Sequence, residues 1–398
     1  MSGREREPGG SGRTDGRGGS GEDGLRGSGG PGSAPRRRGE LTGPGAPAVR
    51  PSEPASRGLP RLELAASPHL KAPDSTPRIM WTVVATLVPV VGAAAWTFGP
   101  GALLVIAAAV AGALATERVW GRRGALGDGS AAITGLLLGL TLPAGLPLWM
   151  AFLGGAVGIG FGKLIFGGLG QNVFNPALLG RAFLQAAFPA ALTTWPLPTG
   201  APLPGGGMVA WASLRGDLFA LPLLGSRVDA VTGATPLGLA KFEGVSTPVY
   251  DLFIGSVGGS AGETSALLIL LGGLYLATRG YLDWRIPVSI VAVVAILSSV
   301  IHAVDPAVSP GAPFMLLSGG LMLGAVYMAT DMVTSPVTHA GAWIYGAGIG
   351  LLVVLIRVWG GLPEGVMYAI LFMNALVPFI DRATQPRVFG TGRTAEAS

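Results

Sequence analysis

The sequence predicts an all-α integral membrane protein with about ten transmembrane helices, and three observations lead to this fold class. Apolar runs of about 20 residues recur after position 78, which is the length a helix needs to cross the hydrocarbon core. Glycine supplies 66 of the 398 residues, and small residues let helices pack closely in lipid. Arginines cluster in alternate connections between the apolar runs, as the positive-inside rule requires.

The first 77 residues differ in composition from the rest of the chain. They are rich in Gly, Arg, Pro and Ser and contain almost no aromatic or β-branched side chains. Such a segment cannot bury enough apolar surface to offset the entropy lost on ordering. We therefore expect residues 1–77 to form a disordered cytoplasmic tail.

Ten segments of the remaining chain are apolar enough to be spans. The fifth contains Asn175, Pro176 and Arg181, so we expect a broken or half-buried helix there. Lys163 lies near the end of the fourth, where a lysine is expected to snorkel to the interface. The predicted spans are 79–98, 101–117, 129–145, 147–166, 172–190, 264–279, 286–304, 313–330, 341–357 and 364–380.

The arginine distribution predicts the orientation. Arg118, Arg279 and Arg382 represent basic connections that fall on one side if both termini are cytoplasmic. The long segment 191–263 falls on the other side and has more acidic than basic residues, so we expect it to be extracytoplasmic. Arg357 is the one residue that does not fit this distribution.

The long segment divides the spans into five and five, so the two halves must insert with opposite topology. This is the signature of two inverted five-helix repeats. The resulting regions are a cytoplasmic tail (1–77), a first membrane half (78–190), an extracytoplasmic loop (191–263), a second membrane half (264–380) and a cytoplasmic C-terminal tail (381–398).

Composition excludes several kinds of redox centre. The chain has no cysteine, so it cannot form disulfides, thiolate-ligated iron–sulfur clusters or thioether-linked haem. One of its three histidines lies in the tail, which argues against a bis-histidine haem site. No dinucleotide fingerprint follows a strand. We predict no metal site, no nucleic-acid partner and no catalytic residue that completes a reaction in this chain alone.

Residues 229–237 of the loop read DAVTGATPL and form a small polar patch. Thr235 precedes a proline and is therefore held extended, while Gly233 and Ala234 leave its hydroxyl accessible. Such a site suits modification by another enzyme. An ordinary turn capped by Asp229 is the alternative reading of the same residues.

This patch resembles the flavinylation motif Asp-x-x-(Ser/Thr)-Gly-Ala-Thr, in which a flavin transferase joins FMN through its phosphate to the last threonine. The motif positions here are Asp229, Thr232, Gly233, Ala234 and Thr235. The resemblance therefore implies covalent FMN on Thr235.

Three further segments resemble signatures of the same family. Together with the motif they are similar to the RnfD/NqrB family, which contains the D subunit of Rnf-type complexes and the B subunit of sodium-translocating NADH:quinone reductases. The turn after Asp331 departs from the family's Asp-Pro because Met332 follows. The resemblance covers about residues 78–390 and is closer to the Rnf protein. Its segments are 168–184 (GLGQNVFNPALLGRAFL), 327–338 (YMATDMVTSPVT) and 364–382.

The resemblance implies an electron-transfer subunit of a complex that couples ferredoxin or NADH oxidation to movement of Na⁺ or H⁺. It implies as partners the other subunits of that complex, including an extracytoplasmic flavoprotein, together with a flavin transferase and membrane lipid. A second cofactor, riboflavin or another non-covalent flavin, is expected between the two halves.

Six polar residues are candidates for contacting flavin. Arg181 lies in an apolar segment and must find a counter-charge, helix-end carbonyls or a flavin. Asn172 and Asn175 suit a flavin's pyrimidine edge or cap the fifth span, a role that favours Asn172. The other three candidates are Asp331, Thr334 and Ser335. They line a second flavin site or an ion path, or else they form a plain turn at the end of a helix.

Two other functions fit parts of the sequence. A solute channel or transporter also uses inverted five-helix repeats with broken central helices. A structural membrane anchor for a redox complex needs only the spans. Neither alternative predicts a bound chromophore, so visible absorption of the purified protein separates both from a flavoprotein.

Overall fold

The regular elements of the described residues are helices. The computed structural model describes residues 74–121, 125–203, 206–214, 216–222, 233–255, 257–263, 265–306 and 309–386. Within these ranges there is no β-strand, and one isolated β-bridge joins Pro202 to Met208. This confirms the predicted all-α membrane class.

The first membrane half contains five helices. The fourth continues as a π-helical segment at Gly160–Leu164, and a 3₁₀ turn at Ala125–Asp128 precedes the third. The helices are α1 (Thr76–Phe98), α2 (Pro100–Trp120), α3 (Ser130–Thr141), α4 (Leu148–Ile159) and α5 (Pro176–Ala187).

The described residues of the connecting segment form three short helices, α6 (Pro189–Thr193), α7 (Pro236–Gly238) and α8 (Val249–Ile254). A π-helical segment at Leu239–Glu243 follows α7, and a 3₁₀ turn at Ala261–Glu263 ends the connection. Trp211 ties the connection to α1, because its indole N–H donates to the Ala95 carbonyl at 2.8 Å. We call the end of the bundle that carries this connection the loop face.

The described residues of the second half form three long helices and three shorter ones. Its third helix is interrupted at Ser318–Gly320 and then ends in a π-helical segment, Gly324–Met328. The helices are α9 (Ala266–Thr278), α10 (Arg285–Val304), α11 (Ala312–Leu317), α12 (Leu321–Leu323), α13 (His339–Trp359) and α14 (Val366–Thr384).

The helix positions match the predicted spans closely. Five of the described helices, α1, α2, α10, α13 and α14, are long and apolar enough to cross a membrane, and three shorter apolar helices accompany them. Helix α5 is short, as the polar residues of the fifth segment predict. The count of ten spans and their inverted symmetry stay predictions.

The basic helix ends named in the sequence meet at the end of the bundle opposite the loop face. A cleft there brings together Ile79 of α1, Ser130 of α3, Leu276 of α9 and Tyr281 of the following turn. We call this end the arginine face. Arg357 does not belong to it: its guanidinium is buried and donates to the Met315 and Ser318 carbonyls, which explains why it departs from the topological pattern.

We predict that the loop face is extracytoplasmic and that both termini are cytoplasmic. Alkaline phosphatase fused at Gly206 should be active, because it folds only after export, whereas the same enzyme fused after Ser398 should be inactive. Green fluorescent protein at the two positions should give the opposite pattern. Phosphatase that is active at the C-terminus and inactive at Gly206 would contradict this topology.

Candidate functional site

Thr235 lines a cleft on the loop face together with residues from both membrane halves. Arg181 of α5 contributes from the first half, and Gly320 and Glu364 contribute from the second. Trp195, near the start of the connecting segment, also lines the cleft. The predicted acceptor threonine and the predicted flavin-binding arginine are therefore brought to one site.

The Thr235 hydroxyl begins helix α7. The backbone at Thr235 is extended, with φ −70° and ψ 154°, as expected before proline. The side-chain oxygen accepts a hydrogen bond from the Gly238 amide at 3.1 Å. Because this contact uses an oxygen lone pair, the hydroxyl proton remains available, and a phosphoester formed here would stand at a helix start.

The neighbours of Thr235 are small for identifiable reasons. Gly233 donates from its amide to the Trp195 carbonyl at 2.9 Å. A Cβ at Gly233 would lie 2.7 Å from Leu197 Cδ2, so the segment packs closely there. Ala234 is exposed. Asp229 and Thr232 lie outside the described residues, and their predicted roles stay predictions.

Lys241 anchors the Thr235 segment to the second half. Its ammonium donates to the carbonyls of Arg357 at 2.8 Å, Gly360 at 2.5 Å and Leu362 at 3.2 Å. Since these carbonyls end α13 and begin the next connection, a cation satisfies acceptors that the helix leaves unpaired. The loop that carries Glu364 is thereby fixed next to the loop that carries Thr235.

Arg181 pairs with an acid from the other half. Its Nη2 lies 3.2 Å from Glu364 Oε2, and its side chain is about 10% exposed. The counter-charge that a buried arginine requires is thus Glu364, 183 positions away. Arg181 Nε is buried without a hydrogen-bond partner among the described residues, so one donor remains for a ligand.

Glu263 and Arg357 complete a group of four charges that we call the charge cluster (Arg181, Arg357, Glu263 and Glu364). A Cβ at Gly320 would lie 2.7 Å from Glu364 Oε1 and 3.9 Å from Glu263 Oε1, so both carboxylates approach one glycine. Burial, and then the charge of Glu364, raise the pKa of Glu263, which lies in the turn before α9 and outside the spanning helices. Glu263 and Glu364 were not predicted as site residues because their partners come from distant helices.

The second cleft lies on the arginine face and contains other predicted residues. Asn172, Asn175 and Asp331 line it together with Lys163 and Tyr281. The structure therefore separates the asparagines from Arg181, which faces the other cleft. Two sites result, one on each face of the bundle.

The two asparagines differ in what they have left to offer a ligand. Asn175 caps α5 by accepting from the Ala177 and Leu178 amides at 3.0 and 3.3 Å, and it donates to the Met328 carbonyl at 3.1 Å. The expectation that Asn172 is the better candidate cap was wrong, because proline at the first helical position places the cap at Asn175. Asn172 Oδ1 is buried without a partner among the described residues and can accept from a ligand.

Asp331 organises the turn that precedes α13. Its carboxylate accepts from the Val333 amide at 3.3 Å and from the Thr334 hydroxyl at 3.2 Å, and its carbonyl accepts from the Ser335 amide at 3.1 Å. Thr334 and Ser335 do not line the cleft, whereas Asp331 does. This geometry favours a turn role for Thr334 and Ser335.

Lys163 does not snorkel to the interface, so that expectation was wrong. Its side chain is 3% exposed, and its ammonium contacts Glu117 Oε1 and Ser130 Oγ and lies 3.7 Å from Asp128 Oδ2. Glu117 is itself 1% exposed. The charge turns inward because a carboxylate on α2 compensates it, and an acid inside an apolar span was the signal in the sequence.

Helix α5 connects the two clefts. Asn175 at its start borders the arginine-face cleft, and Arg181 two turns later borders the loop-face cleft. A helix rises 1.5 Å per residue, so these positions differ by about 9 Å along the axis. Among the described residues no group of three or more His, Cys, Asp or Glu side chains suits a metal ion.

Comparison with known proteins shows the family to which the chain belongs. The profile of the NQR2, RnfD, RnfE family matches residues 63–390. The chain belongs to this family. Membership and the spanning helices identify it as a multi-pass protein of the bacterial inner membrane, and they confirm the predicted family.

Relatives match over most of their length. The D subunit of an ion-translocating oxidoreductase complex of Stutzerimonas stutzeri is 44% identical over 80% of this chain and 93% of its own. The D subunit of the proton-translocating ferredoxin:NAD(+) oxidoreductase complex of Clostridium ljungdahlii is 40% identical over 83% and 96%. The corresponding D subunit of Acetobacterium woodii, whose complex is named Na(+)-translocating, is 40% identical over 83% and 95%.

Proposed function

We propose that this chain is the D subunit of an Rnf-type ion-translocating ferredoxin:NAD⁺ oxidoreductase complex and that it transfers electrons through FMN held as a phosphoester on Thr235. Its partners are the other subunits of that complex, an extracytoplasmic flavoprotein among them, and a flavin transferase that modifies Thr235. The names of the relatives support the complex, and the loop-face cleft supports the cofactor.

One observation carries the assignment of the cofactor. The Thr235 oxygen stands at a helix start in the same cleft as Arg181, whose buried Nε has no partner among the described residues. A phosphodiester carries negative charge and acceptor oxygens, which are complementary to a guanidinium. The residues present therefore fit a flavin nucleotide attached through phosphate.

The protein's own residues would position this group and tune its potential. FMN supplies reversible electron transfer when bound, which the side chains of this chain do not. Arg181 would neutralise the phosphodiester, and Lys241 holds the loop that bears Glu364 against the flavin-bearing segment. The small residues Gly233 and Ala234 would leave the transferase a path to the hydroxyl.

The arginine-face cleft suits the second, non-covalent flavin, such as riboflavin. Asn172 Oδ1 is a buried acceptor available to a ring N–H, while Asp331 and Lys163 line the same cleft. Asn175 of this cleft and Arg181 of the other lie about 9 Å apart along the axis of α5. A chain with one flavin in each cleft would carry electrons between the two faces of the membrane.

Spectra of the purified chain test this function. Protein made together with a flavin transferase should show flavin absorption, part of which survives denaturation and washing. Flavin released by denaturation would represent the second site. A purified, folded chain that shows no flavin absorption either before or after denaturation would contradict the electron-transfer role and favour a solute transporter.

We predict that Arg181→Leu lowers flavin content or slows flavin reduction about tenfold or more while the protein still folds. Charge-assisted hydrogen bonds contribute about 1.5–3 kcal/mol, or roughly one to two factors of ten in binding. Flavin per protein and the rate of flavin reduction by dithionite are the measurements. Arg181→Lys should fall between wild type and the leucine variant. Full flavin content with normal reduction in Arg181→Leu would leave the arginine only a packing role.

A further inference from the structure

The two carboxylates of the charge cluster are compensated unequally. Glu364 accepts from the Arg181 guanidinium at 3.2 Å and from the Gly320 amide at 2.6 Å. Glu263 accepts from the Ser260 hydroxyl at 2.8 Å, a neutral donor. When all four groups are ionised, the net charge of the cluster is zero. Glu263 is the less stabilised of its two carboxylates, so it is the one that additional negative charge in the cleft would protonate first.

We propose that Glu263 is the proton-exchange group of the loop-face cleft, taking up a proton when negative charge arrives at a flavin on Thr235 and releasing it when that charge leaves. The proposal rests on the proposed function, because the charge is that of the phosphodiester and of the electron on the FMN. It adds a proton-linked residue to a site otherwise defined by cofactor attachment.

The electrostatics favour Glu263 over its neighbours. Burial, and then the charge of Glu364, already raise the pKa of Glu263, whereas the Ser260 hydrogen bond, Arg181 and Arg357 act in the opposite direction. A further anion in the cleft disfavours the ionised carboxyl again. Glu364 keeps its two charge-stabilising donors, the Arg181 guanidinium and the Gly320 amide.

The exchange balances in charge and atoms. One electron reaches the flavin from a one-electron donor, the reduced flavin of a partner protein in the complex. At the same time an O–H bond forms on Glu263 with a proton taken from water on the loop side, and the carboxylate becomes a neutral acid. When the electron leaves, that O–H bond breaks and the proton returns to water, so the net charge of the cleft stays constant.

Redox titration at several pH values tests the proposal on flavinylated protein in detergent. Above a pH of about 8, where Glu263 is ionised before the electron arrives, the covalent flavin of the wild type should become easier to reduce as pH falls, approaching a tenfold change in the reduction equilibrium per pH unit, or about 59 mV for one electron. Glu263→Gln should lose most of this dependence when the two proteins are compared at equal amounts of covalent flavin. Glu243→Gln, an exposed acid of the same connecting segment, should behave as wild type.

A second measurement needs no flavin. In protein made without a transferase, infrared spectra should contain the C=O band of a protonated carboxyl that disappears as pH rises through the Glu263 pKa of about 8, and Glu263→Gln should lack this band. If Glu263→Gln does not fold, Ser260→Ala replaces it. The Ser260 hydroxyl donates to the ionised Glu263 carboxylate, so its removal should raise the Glu263 pKa. The pH dependence of flavin reduction and the infrared transition should then both move to higher pH in Ser260→Ala.

The outcomes separate the proposal from the function on which it rests. Covalent flavin with the same pH dependence in Glu263→Gln and wild type overturns the proton-exchange role and leaves the proposed function intact. Absence of covalent flavin in the wild type overturns the proposed function and, with it, the link to electron transfer. A titrating band that persists in Glu263→Gln assigns the proton to another group and also overturns the proposal.

Discussion

Thr235→Ala is expected to abolish covalent flavin completely. A phosphoester needs the hydroxyl oxygen, and that oxygen lies in the cleft shared with Arg181. Protein made with its transferase and separated on a denaturing gel should fluoresce as a flavin band in the wild type and not in the variant. Loss of a helix cap costs about 0.5–2 kcal/mol, so Thr235→Ala should remain folded.

Two controls identify the acceptor residue. Thr235→Ser keeps the hydroxyl oxygen that forms the ester and should retain covalent flavin. Thr232→Ala should weaken the fluorescent band without erasing it, because Thr232 belongs to the recognition motif and is not the acceptor. A band that survives in Thr235→Ala but is absent in Thr232→Ala would transfer the attachment to Thr232.

Lys163→Met is expected to destabilise the protein by about 3–5 kcal/mol, because it leaves the Glu117 carboxylate buried without its cation. Glu117 is 1% exposed, and its Oε2 already lacks a hydrogen-bond partner among the described residues. Thermal unfolding in detergent, followed by circular dichroism, should show a markedly lower transition temperature and a smaller yield of folded protein.

The double variant Glu117→Gln/Lys163→Met separates charge from packing. Removing both charges should recover most of the lost stability, since replacing a buried ion pair by neutral groups is often close to neutral. Arg118→Gln, an exposed charge one position further along α2, should change stability by no more than about 0.5 kcal/mol. A double variant as unstable as Lys163→Met would show that the lysine stem, rather than its charge, is what the fold requires.

Hydropathy predicted the helices well because the requirement for an apolar length is local. The segments 79–98 and 286–304 differ from α1 and α10 by three residues or fewer at each end. The π-helical segments and the break at Ser318–Gly320 were not predicted. They depend on packing between helices, which a window along the sequence does not report.

The candidate site was predicted in part. The motif located Thr235, and the cost of a buried charge required a partner for Arg181. That partner, Glu364, could not be identified, because no periodicity connects residues 183 positions apart in different halves. The buried position of Lys163 was also not predicted, because its partner Glu117 is distant in sequence. A lysine near a helix end is expected to snorkel to the interface unless such an acid pairs with it inside the bundle.

The mass of one peptide tests the central claim most directly. Trypsin cleaves after Arg227 and Lys241, so residues 228–241 are released as a single peptide that contains both Thr232 and Thr235. From wild-type protein made with its flavin transferase, this peptide should carry the mass of FMN less one water, and fragmentation should place the addition on Thr235. An unmodified peptide, although the transferase flavinylates a known substrate in the same cells, would contradict the account.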